Sequence, residues 1–186
     1  MNKTLDEHWS QYYRQGKDFV IASEQAVHLI ANLTDQSPPK NCLDIGCGTG
    51  QLAQALNNRG FKVTAVDVSS EAVKLAIVKN NSAVTFIHFD IENEDPKRLQ
   101  DQPFSLITCK LVYAFINNKP KFLSMVKSLL KDKGLFVIIA PLINNVPGFK
   151  KGIAVDAAAT KKLLQKFFAA ETKTVDELEY FICRIT

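Results

Sequence analysis

Long hydrophobic runs are missing from this chain: no segment approaches the roughly 18 consecutive apolar residues that cross a bilayer as a helix, so no membrane partner is expected. Cysteine is sparse and unpatterned. Cys42, Cys47, Cys109 and Cys183 form neither a Cys-x-x-Cys pair nor a disulfide framework. Three of them fall in expected strands or at a glycine turn, where cysteine acts as a small apolar residue. His8, His28 and His88 are scattered, and no metal site is expected. Arginine-rich stripes, internal repeats and low-complexity segments are missing too, which leaves nothing that reads as a separate RNA-binding module.

What is present is ordinary globular composition, 46% hydrophobic and 23% charged. The 186 residues suffice for one well-buried domain and are short for two. The net charge of +4 comes from lysines crowded into the C-terminal half, such as Lys119, Lys121, Lys127, Lys161 and Lys162. Many interrupt amphipathic helices on the side away from the apolar stripe and read as solvated faces. The first residues, Met-Asn-Lys-Thr-Leu-Asp-Glu-His, are polar and carry acids, unlike a secretory signal or transit peptide. The expected location is the cytoplasm.

The most informative segment is Asn41–Gly50, Asn-Cys-Leu-Asp-Ile-Gly-Cys-Gly-Thr-Gly. Its short apolar run suits a buried strand. Glycines at 46, 48 and 50 let the chain turn sharply and bring bare backbone close to a ligand. Leu52, Ala53 and Leu56 then fall at helical spacing, so the turn opens into a helix whose amides are expected to point at a pocket. Phe61–Asp67 reads as the next strand, with Asp67 at its C-terminal end. That places a carboxylate at the tip of the neighbouring strand, where it can accept hydrogen bonds from ribose hydroxyls.

Strand and helix patterns alternate from Asn41 onward, the mark of an α/β fold with a mostly parallel sheet. A helix is expected around Ala72, Val73, Ala76 and Ile77, then strands over Val84–Phe89 and Phe104–Lys110. Phe122, Leu123, Val126, Leu129 and Leu130 line a helix that Lys133-Gly134 is expected to close as a C-cap. Leu135–Ala140 reads as a central strand, and Leu163, Leu164, Phe167 and Phe168 as a last helix face. Thr172–Val175 and Glu179–Ile185 can pair as an edge hairpin. Two further helices, Leu5–Tyr13 and one bearing Ala26, Leu29, Ile30 and Leu33, precede Pro38-Pro39. The division is a helical cap over 1–36 and a cofactor-binding core over 37–186, within a single domain.

The glycine turn, Asp44, Asp67 and this element order resemble the class I S-adenosylmethionine-dependent methyltransferases from about Ser37 onward. The resemblance implies a Rossmann-like, doubly wound, mostly parallel seven-stranded sheet with a C-terminal antiparallel hairpin and an N-terminal helical cap. It implies S-adenosyl-L-methionine as cofactor. Asp44 and the turn of Gly46, Cys47, Gly48 and Gly50 then match the motif that holds the methionine part. Asp67 matches the ribose acid, and Val68 beside it meets the adenine. Asp90-Ile91 matches the pair after the third strand, where the acid meets the adenine amino group. Cys109 falls where a backbone carbonyl meets the cofactor's amino group. One departure is that the family often has an acid early in the fourth strand, and Phe104-Ser105-Leu106 has none.

Methyl transfer from a sulfonium is an in-line displacement that depends mainly on proximity and orientation. A general base is optional, and the catalytic residues stay unknown: His8 and Lys110 are the bases near the expected pocket, and each also reads as an ordinary cap or surface residue. Trp9, Tyr12 and Tyr13, Tyr113 and Phe115, and the long connection from Pro141 to Asp156 are the candidates for an acceptor wall or lid. A small-molecule acceptor is expected ahead of a nucleic acid or protein. Two other readings stay open. A nicotinamide-dependent oxidoreductase shares the strand–turn–helix corner, but would want its third glycine where Gln51 stands. A non-catalytic S-adenosylmethionine-binding or adaptor domain would keep the fold and lose the acceptor pocket.

Overall fold

The computed structural model describes residues 4–18, 22–34, 37–80, 83–99 and 103–185. Two capped helices come first. The Thr4 side chain accepts from the Glu7 amide to start α1 (Leu5–Arg14), and Ser23 accepts from Ala26 to start α2 (Glu24–Leu33). The α/β alternation follows as β1 (Asn41–Ile45), α3 (Gln51–Asn57), β2 (Lys62–Asp67), α4 (Ser70–Lys79), β3 (Thr85–His88), β4 (Phe104–Lys110), α5 (Lys119–Leu129), β5 (Leu130–Ala140) and α6 (Ala157–Leu164). The chain closes on the hairpin β6 (Ala169–Val175) and β7 (Leu178–Arg184), whose two linking residues, Asp176 and Glu177, both have positive φ.

These strands form one seven-stranded sheet in the order β3-β2-β1-β4-β5-β7-β6. The first five run parallel, and β7 pairs antiparallel with both β5 and β6. Both faces are covered, which explains the unbroken apolar run of β5. Leu135, Val137 and Ile139 join a core packed under Ala26, Val27 and Ile30 of α2 and Leu52 and Leu56 of α3. Phe136, Ile138 and Ala140 face the other way, against Phe122, Leu123 and Val126 of α5 and Leu164 of α6. Among the described residues no helix is long and apolar enough to cross a membrane.

Several local details depart from the sequence reading. Lys133-Gly134 does not cap α5, which ends at Leu129 as Leu130 turns extended. Leu130 pairs with Phe104 and Leu135 with Leu106, so the residues between them bulge out of β5. Lys133 there takes a left-handed φ of 59°. Among its described residues the connection from β3 to β4 carries a 3-10 turn, Pro96–Leu99, and no α-helix. Its sequence, Ile-Glu-Asn-Glu-Asp-Pro-Lys-Arg-Leu, has no 3.6-residue apolar period to support a longer helix. The segment from Pro141 to Asp156 is folded back on itself, with Val155 donating to the Pro141 carbonyl at 2.9 Å and Ile143 to Val155 at 3.0 Å. Phe167 and Phe168 lie beyond the end of α6, though Phe168 is still buried.

The bulge gives Gly134 a role that a sequence reading as a helix cap conceals. A Cβ there would meet the Lys131 carbonyl oxygen at 2.8 Å and that of Phe104 at 3.1 Å. Both contacts are backbone and cannot move cheaply. Gly134→Ala is therefore expected to lower stability by about 1–3 kcal/mol in urea denaturation, and an unchanged stability would contradict the crowding.

Candidate functional site

The strand order reverses between β1 and β4, whose outgoing connections lead to opposite sides of the sheet. A crevice outside the C-terminal ends of such strands is the usual ligand position in an open α/β sheet. Here the glycine turn occupies that point, with Gly46, Gly48 and Gly50 at φ of 68°, 55° and 85°. Side chains seldom adopt these angles. Room is also lacking: a Cβ on Gly46 would fall 2.1 Å from Val112 Cγ2, and one on Gly48 2.8 Å from the Tyr13 hydroxyl.

The turn's own amides are largely spent inside the protein. Gly46 and Cys47 donate to the Val66 carbonyl at 2.8 and 2.9 Å, and Gly50 donates to Cys47 at 2.9 Å. Gly48 N–H donates to Asp67 Oδ2 at 2.8 Å, while Ser69 N–H donates to Oδ1 at 2.8 Å. The turn thus contributes shape and open approach more than free donors. Asp67 still lines the cleft, and each carboxylate oxygen retains acceptor capacity.

Register supplies the second acid. Asp44 pairs with Thr108 across β1 and β4, and the Thr108 hydroxyl donates to Asp44 Oδ1 at 2.7 Å. Burial pushes the Asp44 carboxyl up to about 6, although the Thr108 hydrogen bond and the Lys110 charge pull the other way. Asp67 is also raised by burial, opposed by the hydrogen bonds from Ser69 and Gly48 and by His88. Desolvation lowers Lys110, against the opposing pull of Asp44 and Asp18.

Helix α1 roofs this site. Leu5, Trp9 and Tyr13, four residues apart and so on one helix face, line the cleft. The adjacent face grips α4. Asp6 Oδ1 accepts from the Ser70 amide at 3.0 Å and from Ser10 Oγ at 2.7 Å, and Ser10 Oγ meets Ser69 Oγ at 2.9 Å. A carboxylate at a helix N-terminus is a favourable placement. Just past α1, Asp18 accepts from the Thr49 hydroxyl at 2.7 Å and so ties the segment to the glycine turn.

The resulting cleft has an empty volume of about 730 Å³, open solvent at its mouth included. Of the residues expected at a site, Gly46, Asp67, Val68, Asp90, Ile91, Trp9, Tyr13 and Phe115 line it. Asp44, Cys47 and Gly48 line a small adjoining chamber, which shares Gly46, Tyr13 and Lys110 with the cleft. Gly50 lies behind the turn, facing Phe86 and Asn80. The Asp90 carboxylate accepts from the Glu92 amide at 3.0 Å and the Asn93 side chain at 2.8 Å. Cys109 is fully buried in β4, and the cleft is lined by the next two residues, Lys110 and Leu111.

Tyr113 does not line the cleft. It is 1% exposed and packs in the core against Phe122, with ring centroids 6.3 Å apart. Tyr12 and His8 stand outside the lining, each edge-on to Trp9. Nor does the Pro141–Asp156 connection reach the cleft wall. Asp6, Ser10, Asp18, Thr108 and Ser69 were not singled out in the sequence. The pair Asp6/Ser10, spaced i, i+4 beside the apolar stripe of α1, is the signal that marks a helix with two working faces.

Comparison with known proteins follows this geometry. A family model described as a methyltransferase domain matches residues 15–169, beginning just after α1. The chain is 28% identical over 130 residues to a ubiquinone biosynthesis O-methyltransferase of Xanthomonas campestris pv. campestris, covering 69% of this chain and 54% of that one. It is 30% identical over 139 residues to the 23S rRNA (cytidine-2'-O)-methyltransferase TlyA of Campylobacter jejuni, covering 72% of this chain and 51% of that one. The chain thus spans about half the length of these curated relatives. Among solved structures it resembles the Burkholderia thailandensis 1,6-didemethyltoxoflavin-N1-methyltransferase with bound 1,6-didemethyltoxoflavin and S-adenosylhomocysteine. That match has a TM-score of 0.73 at 19% identity, covering 98% of this chain and 87% of that one.

Two substitutions separate the acids from the packing. A carboxyl raised in the folded state binds protons more tightly there than in the unfolded chain, so stability falls as pH rises from about 4 to about 6 and then stays at the lower value. Asp44→Asn removes that dependence and keeps an acceptor for Thr108. The variant is expected to equal or exceed the original chain at pH 7.5, by up to about 3 kcal/mol, with the advantage shrinking as the pH is lowered through 6; urea titrations across that range measure it. The Tyr113 hydroxyl is buried with no hydrogen-bond partner among the described residues. Tyr113→Phe should accordingly leave thermal stability unchanged or raise it.

Proposed function

The chain belongs to the methyltransferase-domain family, and from that premise we propose that it transfers a methyl group from S-adenosyl-L-methionine to a small acceptor. The observation that carries the proposal is the two-lobed space at the strand tips: a cleft with Asp67, Val68, Asp90 and Ile91 on one side, and a chamber formed by the glycine turn and Asp44 on the other. The relatives' names support methyl transfer, with an O-methyltransferase among them. The Burkholderia thailandensis enzyme, with 1,6-didemethyltoxoflavin and S-adenosylhomocysteine bound, supports a small acceptor.

In this reading the residues fit the cofactor by shape and charge. Asp67 takes the ribose hydroxyls on its remaining lone pairs, and Val68, Asp90 and Ile91 take the adenine. Gly46, Cys47, Gly48 and Asp44 take the methionine end, where a Cβ at Gly46 or Gly48 would fill the space. The buried carboxylates complement an α-ammonium group and a sulfonium. Once bound, the cofactor supplies an electrophilic methyl group on sulfur. Leu5, Trp9 and Tyr13 of the roof exclude water and, with Phe115, hold the acceptor in line. Because α1 precedes the family match, acceptor recognition rests partly on a segment outside the matched domain. A single domain carries both halves, and the reaction is expected in the cytoplasm.

Titration calorimetry tests the reading. S-adenosylmethionine and S-adenosylhomocysteine are expected to bind with one-to-one stoichiometry and NAD hardly at all; comparable affinity for NAD would overturn the proposal. Asp67→Ala is expected to weaken cofactor binding at least tenfold, since hydrogen bonds to a charged group are worth about 1.5–3 kcal/mol. Gly48→Val should do more harm, because its side chain meets the Tyr13 hydroxyl at a left-handed φ.

A further inference from the structure

The charges around the cleft are not mixed. Its acids, Asp67, Asp90 and Glu92, stand on β2 and after β3, on the side assigned above to the nucleoside. Lys110 is the one basic residue among the described residues lining the cleft, and it stands at the opposite wall, at the tip of β4. It also lines the chamber, so it sits at the junction of the two lobes, where cofactor and acceptor would meet. The lining residues that follow it in the chain are apolar, Leu111, Val112, Phe115 and Ile116, and Trp9 of the roof lines the same cleft. Trp9 and Phe115 stack edge-to-face with centroids 4.9 Å apart, which leaves a wall suited to a flat ring.

The backbone beside Lys110 reinforces the placement. Leu111 has a φ of 60°, a conformation that bulky residues rarely take, and its amide is held by the Ile139 carbonyl at 2.8 Å. Such strain persists only where the surroundings enforce it, and it collects at ligand sites. The left-handed residue ends β4 abruptly and sets Lys110 and Leu111 on the cleft wall. Asp44 and Asp18 act on Lys110 electrostatically, and they stand on the chamber wall. Their attraction favours the ammonium form and opposes the lowering that burial imposes.

Resting on the function proposed above, we infer that Lys110 binds the acceptor, and that the acceptor is an aromatic or enolic compound entering as an oxyanion. The bond changes balance without a protein base. A lone pair of the anionic oxygen forms the new C–O bond as the S–CH3 bond breaks, and its electron pair stays on sulfur. An anion and a sulfonium become a neutral ether and a neutral thioether. The ammonium favours the ionised acceptor on binding, so no proton remains to be removed at the moment of transfer. An ammonium-bearing acceptor would face both Lys110 and the sulfonium and is disfavoured.

The experiment uses calorimetry on the full chain saturated with S-adenosylhomocysteine, with 4-nitrophenolate at a pH where it is fully ionised and nitrobenzene as its neutral counterpart. The original chain is expected to bind the phenolate about tenfold or more tightly than nitrobenzene. Lys110→Met should abolish that preference, and Lys110→Arg should keep most of it. Lys110→Gln serves as the second neutral variant should Lys110→Met fail to fold. Equal binding of the two probes, or a preference that survives in the neutral variants, overturns the inference. So does a loss of S-adenosylhomocysteine affinity in those variants with the phenolate preference intact, which would assign Lys110 to the cofactor's carboxylate. Failure of the original chain to bind S-adenosylhomocysteine is measured first, and it overturns the cofactor reading along with this one.

Discussion

The Asp67 carboxylate, held by two backbone amides at the tip of β2, is the contact on which the rest of the site depends. One oxygen fixes Gly48 and therefore the glycine turn; the other fixes Ser69, whose side chain starts α4. Ser69 also meets Ser10, so the same carboxylate reaches the roof helix through one further hydrogen bond. Three elements that diverge from the sheet are thus gathered at one point. Hydrogen bonds to an ionised acceptor are stronger than neutral ones, which suits a junction with so few partners.

That junction has a cost. Asp44 and Asp67 lie buried near one another at the strand tips, and each resists ionisation because water is excluded. Their nearest compensation is local: Thr108 for Asp44, two amides for Asp67, and Lys110 at the edge of the chamber. A positively charged ligand would relieve the remainder, so the fold stores an affinity for a sulfonium or ammonium group in its own unfavourable charges. Along the cleft Lys110 stands at the tip of β4, apart from Asp67, Asp90 and Glu92, while in the chamber it shares the lining with Asp44 and Asp18.

Strand β4 was legible residue for residue, because Phe104, Leu106, Ile107 and Cys109 make a short, mostly apolar stretch of strand length. The glycine turn and Asp67 were legible for a chemical reason: three positive φ angles demand glycine, and a strand-end acid has few other uses. Lys133-Gly134 misled because a C-cap and a β-bulge both call for a left-handed residue near glycine, and only the pairing of Leu130 with Phe104 tells them apart. The aromatics divided along a similar line. Trp9, Tyr12 and Tyr13 were named together, and only Trp9 and Tyr13, four residues apart on α1, line the cleft; Tyr113 and Phe115 share a 3-10 turn whose two sides face core and cleft. Leu111 gave no signal at all, since its left-handed backbone is imposed by the fold and not by its side chain.

The central claim, that the cleft beneath α1 is the cofactor site, can be read from the chain's single tryptophan. Trp9 lines that cleft and faces Phe115. Its fluorescence should change saturably on titration with S-adenosylhomocysteine, with the midpoint shifted at least tenfold upward in Asp67→Ala and no change with NAD. A chain that binds S-adenosylhomocysteine by calorimetry while Trp9 fluorescence stays constant, or responds equally to NAD, would contradict the assignment.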